Sequence, residues 1–204
     1  MNQSESLFAK YLKKQKINFS KNFRVNSHDV DFCLTKGQQE ILCDVKEVKD
    51  PKIKIESGVE RLGRRIDAQD HIRGDIKKLR QKFKSPPTIP LMLVSMNFSS
   101  NFFTALTVSR AMMGDIGVIF ERGSGDNILH LHHLHAGNAA LRQKMNTSIS
   151  GVFLFDIKGG NHCLFRSPYA NHKVPSDFFS SVKVLDLRKD ETPEDIIALG
   201  KTWY

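Results

Sequence analysis

Ile41-Leu42-Cys43-Asp44-Val45-Lys46-Glu47-Val48 reads as a strand with a charged pair set into an apolar frame. Successive strand side chains point to opposite faces, so Leu42, Asp44, Lys46 and Val48 share one face and Cys43, Val45 and Glu47 the other. An acid and a base thus stand on a face that begins and ends in apolar residues. Upstream, the chain from Phe23 to Thr35 also tends to alternate, and Gly37 supplies a turn, which together predict a β-hairpin. Asp31, in Asp29-Val30-Asp31-Phe32, falls on the adjoining strand thirteen residues before Asp44.

On the N-terminal side, Leu7, Phe8, Tyr11 and Leu12 recur at helical spacing over residues 4–16, with Lys10, Lys13, Lys14 and Lys16 on the remaining face. On the C-terminal side, Asp50-Pro51 ends the strand, and residues 52–65 form a charged connection holding Gly58, Gly63, Arg61, Arg64 and Arg65. A helix over about 66–84 follows, with Ile72, Ile76, Leu79 and Phe83 as its core stripe, and Pro86-Pro87 stops it. The apolar run 89–96 then suits a strand covered on both faces. The order helix, strand, strand, helix, strand predicts an α/β fold, a mixed sheet flanked by helices. Beyond residue 97 the pattern weakens to a helix near 102–113, strands near 116–121, 128–134, 151–155 and 163–165, and an acidic element at 194–199. The expected organisation is one domain over residues 1–204, its core motifs in 4–96 and an elaboration in 97–204.

With 40% hydrophobic and 26% charged residues the composition is that of a soluble globular chain, and no run approaches a bilayer span. No basic segment followed by an apolar stretch opens the chain, so the expected location is cytoplasmic. Cys33, Cys43 and Cys163 are too widely spaced for a zinc or redox pair and read as reduced core residues. The net charge of +9 suits a polyanionic partner, because each phosphate neutralised by Lys or Arg adds affinity. Its distribution is uneven. Residues 25–49 carry three basic against five acidic residues, whereas residues 1–24 carry six against one and residues 50–84 eleven against six. The acidic island between the basic blocks contains Asp31 and Asp44.

Paired carboxylates on a rigid scaffold are what a divalent cation such as Mg2+ needs, since it takes oxygen ligands and keeps several waters. Such an ion both activates water and relieves the charge that builds on a phosphodiester under attack. Asp44 and Asp31 offer the pair, and Lys46 projects from the same face to orient or deprotonate the water. Two further candidates carry bland alternatives. Glu5 lies at the edge of the first helix's apolar stripe, but Asn2-x-x-Glu5 is also a helix-capping pattern. Gln69 extends the core stripe of the second helix backward and, with Arg73 one turn later, is a candidate to contact the phosphate or hold a catalytic water, though a helix's first turn also tolerates a polar residue.

Glu5 on a leading helix, Asp31 before an apolar strand residue, Asp44-x-Lys46, and the helix and buried strand after them resemble the PD-(D/E)xK nuclease superfamily. The resemblance covers residues 4–96 and rests on a short motif. It implies a restriction-endonuclease-like core, dependence on Mg2+ with Mn2+ as a substitute, Asp31 and Asp44 as metal ligands, Lys46 as catalytic lysine and Glu5 as auxiliary acid. Val30 stands where the family pattern has proline, and Asp29, on the same strand face as Asp31, is the alternative ligand. The expected function is Mg2+-dependent hydrolysis of DNA, with Lys10, Lys13, Lys14, Arg61, Arg64, Arg65, Arg73 and Lys77 on the DNA backbone. Nucleases of this size often pair to cut two strands, so a homodimer is a further expectation.

Two other classes compete. One is a nucleic-acid-binding or scaffold protein of the same fold without catalysis. The other is a metalloenzyme centred on His130-Leu131-His132-His133-Leu134-His135, in which His132 and His135 hold zinc, and His133 with Asn138 faintly suggests a different nuclease motif. No cysteine or carboxylate frames that run, and its alternation is also what a half-exposed strand gives.

Overall fold

The computed structural model describes residues 2–25, 27–49, 55–56, 59–60, 68–83, 85–99, 105–122, 128–136, 139–141, 146–157, 160 and 162–188. Of these, 55–56, 59–60, 105, 115–122 and 128–136 are described by their backbone only. Arg61, Arg64, Arg65, Asn138 and the expected element at 194–199 lie outside the described residues.

Helix α1 (Gln3–Lys14) starts where the Asn2 side chain accepts a hydrogen bond from the Glu5 amide at 2.8 Å, and Lys13 and Lys14 suit the negative end of its dipole. Strands β1 (Asn18–Val25), β2 (His28–Lys36) and β3 (Gln39–Val48) form an antiparallel meander. The short pair β4 (Ile55–Glu56) and β5 (Val59–Glu60) precedes α2 (Ala68–Lys82), which leads to β6 (Leu91–Asn97), parallel to β3. Helix α3 (Ala105–Met113) and the hairpin β7 (Asp115–Arg122) and β8 (Ile128–Ala136) then connect to β9 (Ile149–Asp156), parallel to β6. Strand β10 (His162–Arg166) returns antiparallel to β9, and β11 (Lys183–Asp186) lies parallel to β10.

The result is a mixed seven-stranded sheet in the order β1-β2-β3-β6-β9-β10-β11, which meets the expectation of an α/β fold with helices on a mixed sheet. One face, with Leu42, Val48, Leu91, Leu93, Val152 and Leu154, packs under Ile72, Ile76 and Leu79 of α2 and Val108 and Met112 of α3. The other face, with Phe32, Leu34, Cys43, Val45, Met92 and Val94, packs under Phe8 and Leu12 of α1 and under Val174 and Phe178 of the segment after β10. Strand β6 is buried throughout, as its unbroken apolar run predicts. All three cysteines are buried and free.

Two details fix the sheet's centre. Opposite the start of β6 the register slips past Ser150, whose hydroxyl accepts a hydrogen bond from the Leu91 amide at 3.0 Å. At the next position, Gly151 lets β10 approach so closely that a Cβ there would stand 2.3 Å from the Phe165 carbonyl oxygen. Among the described residues the histidine-bearing strand β8 pairs with β7 alone, as a two-stranded sheet.

Candidate active site

The β2–β3 ladder runs from Lys36 opposite Gln39 to Phe32 opposite Cys43 and ends there. On its other side β2 also loses regularity, for the β1–β2 ladder skips the place where Asp31 would face Asn22, which takes a left-handed φ of 48°. Beyond Phe32 the amide of Val45 therefore has no β2 carbonyl as partner, and the Asp31 carboxylate takes that role. Val45 N–H donates to Asp31 Oδ2 at 2.6 Å. A buried amide left without an acceptor is costly, so the divergence of two strands itself demands an oxygen-bearing side chain at position 31. Among the described residues Asp31 Oδ1 has no partner, and the side chain is 25% exposed.

Asp44 and Lys46 occupy the helix α2 face of β3, between Leu42 and Val48, as the alternation predicts. The Asp44 side chain is fully buried, with Lys46 Nζ 2.7 Å from its Oδ2 and Lys82 Nζ 2.7 Å from its Oδ1. The Lys46 ammonium meets Oδ2 outside hydrogen-bonding geometry, so this buried oxygen has charge compensation but no hydrogen bond. Lys46 Nζ is also 3.9 Å from Asp31 Oδ2, which puts carboxylates from two adjacent strands within reach of one ammonium. Ser95 stands beside Lys46 in the β3–β6 register, and its buried hydroxyl has no partner among the described residues.

Burial and the neighbouring Asp44 raise the Asp31 carboxyl above the ordinary aspartate range, against the opposing pull of the Val45 amide, Lys46 and Lys82. Burial also works against the charge on Lys46, but Asp44, Asp31 and Asp75 outweigh it and hold the ammonium above its usual value. Lys46 is therefore a cation at neutral pH in this arrangement. Asp75, itself raised by burial, pairs with Lys78 at 3.4 Å.

The candidates separate accordingly. Asp31, Asp44 and Lys46 come together. Asp29 faces Arg24 across the β1–β2 ladder and is exposed, so of the two aspartates Asp31 is the one in the cluster. Glu5 occupies the first turn of α1, which packs on the opposite face of the sheet from Asp44, and its amide completes the cap with Asn2. Gln69 starts α2, whereas the side chain of that helix that reaches Asp44 is Lys82, thirteen residues further along, or about 20 Å of helix.

Arg73 departs from its expected role. It is 6% exposed, pairs with Asp70 at 3.0 Å and donates to the Arg110 carbonyl at 3.0 Å, tying α2 to α3 instead of facing a ligand. Lys10, Lys13 and Lys14 are exposed on α1 and Lys77 on α2, so the two basic blocks flank the acidic strands on opposite faces. The side chains of His130, His132, His133 and His135 lie outside the described residues.

Lys82 and Asp75 add to the residues that the sequence nominates. With Lys78 they repeat at three and four residues along one edge of the α2 core stripe, and that spacing is the signal that marks them. Comparisons with family models, with curated proteins and with solved structures each returned no match.

Proposed function

We propose that the chain is a divalent-metal-dependent nuclease that hydrolyses phosphodiester bonds in DNA. The observation that carries this reading is the convergence of Asp31 and Asp44, from two adjacent strands, on the Lys46 ammonium. Burying a carboxylate as completely as Asp44 is expensive, and clusters of buried ionisable groups are commoner at working sites than in ordinary cores. The donor set suits Mg2+ or Mn2+, both of which favour oxygen: Asp31 Oδ1 is unengaged among the described residues, and the Asp44 oxygens are held by ammonium groups whose place an ion would take. Asp31 and Asp44 would hold the ion, which when bound supplies an activated water and neutralises developing phosphate charge. Lys46, kept protonated by its carboxylates, offers a fixed positive charge to the phosphate and a donor to orient the attacking water. Asp31 has a second task, since its bond to the Val45 amide fixes where its carboxylate stands. The +9 net charge and the exposed lysines of α1 and α2 favour a nucleic-acid backbone as partner. Two copies of the chain acting together would cut both strands of a duplex in one binding event.

One observation favours a second reading. Both oxygens of Asp44 already face ammonium groups, so the cluster is also consistent with a self-neutralised scaffold that binds nucleic acid without cleaving it. A crystal soaked in Mn2+ separates the two. An anomalous peak bounded by Asp31 and Asp44 supports the nuclease, and no peak there at millimolar Mn2+, with salt-sensitive DNA binding intact, supports the scaffold.

No helix among the described residues is long and apolar enough to cross a membrane.

A further inference from the structure

Resting on the metal-dependent reading above, we infer that Lys82 is a specificity-determining residue of this site: its ammonium competes with the divalent cation for Asp44 and sets the ion concentration at which the site fills.

Asp31, Asp44 and Asp75 bring three negative charges to the cluster, and Lys46, Lys78 and Lys82 bring three positive ones. A divalent ion approaching Asp44 meets a carboxylate whose Oδ1 is already engaged by Lys82 at 2.7 Å and whose Oδ2 lies 2.7 Å from Lys46. Direct ligation by Asp44 therefore requires at least one ammonium to give ground, and that displacement is subtracted from the ion's affinity.

The two lysines are not equally able to move. Lys46 lies on β3 itself, a central strand, and is drawn by Asp44, Asp31 and Asp75 together. Lys82 is the last residue of α2, and among the described residues Asp44 is its one ion-pair partner. Its side chain is 36% exposed, so the flexible stem already reaches solvent and the ammonium can be rehydrated without unpacking the helix. Core contacts of α2 come from Ile72, Ile76, Leu79 and the following Phe83, none of which depends on where the Lys82 head group sits. Lys82 is thus the group that yields, and its charge raises the ion concentration the site requires.

The experiment is a Mn2+ titration of the full chain followed by the electron paramagnetic resonance signal of free Mn2+. It compares wild type, Lys82→Gln, Lys82→Met, Lys82→Arg and Asp44→Asn, with thermal melts as a control for folding. Glutamine removes the charge but keeps a donor for Asp44, and methionine provides a second neutral variant of similar length. Both should bind Mn2+ roughly tenfold or more tightly than wild type, because a like charge a few ångströms from the ion has been removed. Lys82→Arg should stay within about threefold of wild type on the same reasoning, and Asp44→Asn should abolish binding. If the folded neutral variants bind no more tightly than wild type while Asp44→Asn still abolishes binding, Lys82 does not compete and the inference is overturned with the metal site left standing. If Asp44→Asn binds as wild type does, or no variant binds Mn2+ at millimolar concentration, the metal-dependent reading fails and takes the inference with it.

Discussion

Replacing Asp31 by alanine or by asparagine separates what this side chain does for the fold from what it does for the site. Alanine removes the acceptor of the Val45 amide, a 2.6 Å hydrogen bond, and leaves that N–H in a residue only 3% exposed. An unsatisfied buried donor costs about 1–3 kcal/mol, and the lost bond was charge-assisted, so Asp31→Ala should destabilise by about 2–3 kcal/mol. Asparagine keeps an oxygen where Val45 needs it. It also removes a charge that its surroundings disfavour, since burial and Asp44 hold the Asp31 carboxyl above its ordinary range. The weaker neutral bond and the relieved charge offset each other, and Asp31→Asn should lie within about 1 kcal/mol of wild type. In a chain of 204 residues each kcal/mol moves the melting temperature by roughly 2–4 °C, so the alanine variant should melt about 4–12 °C lower and the asparagine variant within about 4 °C. Calorimetry and urea unfolding measure this, and Mg2+-dependent DNA cleavage measured alongside should be lost in both variants. Equal destabilisation by asparagine and alanine would refute the reasoning, because it would show that stability follows the charge at position 31 and not the acceptor.

Other consequences are independent of that one. Arg73→Ala should cost about 1–3 kcal/mol by removing the charged donor that ties α2 to the Arg110 carbonyl, which keeps the Gly114 amide, yet leave DNA affinity unchanged, whereas the exposed Lys77→Ala should weaken binding and reduce the salt slope by about one. Gly151→Ala forces a methyl group against the Phe165 carbonyl and should destabilise by about 1–3 kcal/mol or more, seen as a lower urea midpoint. Asp186 is bonded by Arg166, which holds its carboxyl below the ordinary aspartate range. Its contribution to stability is full above the unfolded-state value of about 4 and disappears as pH falls through the lower folded value. Melting curves of wild type and Asp186→Asn should therefore differ at pH 7, begin to converge at about pH 4 and meet once the pH is below the lower folded value.

The sequence carried the central strand almost completely. Strict alternation in residues 41–48 places Asp44 and Lys46 between Leu42 and Val48, and that face is where both side chains stand. Asp31 was legible as a neighbour but not in its structural task, since the end of the β2–β3 ladder at Phe32 depends on how two strands diverge and not on local pattern. Strand β1 leaves little trace in the sequence because it is an edge strand exposed along most of its length, so nothing forces its residues to alternate. The direction of α2 mattered most. A helix joining two parallel strands runs back against them, which brings its C-terminal Lys82 to Asp44 and carries Gln69 away. Similarly, the apolar stripe of α1 predicts burial but not which face of the sheet receives it, and the face it takes puts Glu5 opposite Asp44. Arg73 looked like a surface cation because the partner that buries it, the Arg110 carbonyl, lies 37 residues away on α3.

The central claim is that Asp31, Asp44 and Lys46 form a hydrolytic metal site, and cleavage of supercoiled plasmid, linear duplex and single-stranded DNA by wild type, Asp44→Ala and Lys46→Ala tests it most directly. Wild type should cut at least one of these substrates in Mg2+ and stop on chelation, while both variants, shown by melting to be folded, lose cleavage by about a hundredfold or more. Equal cleavage by all three proteins, or none by wild type in Mg2+ or Mn2+, would contradict the account.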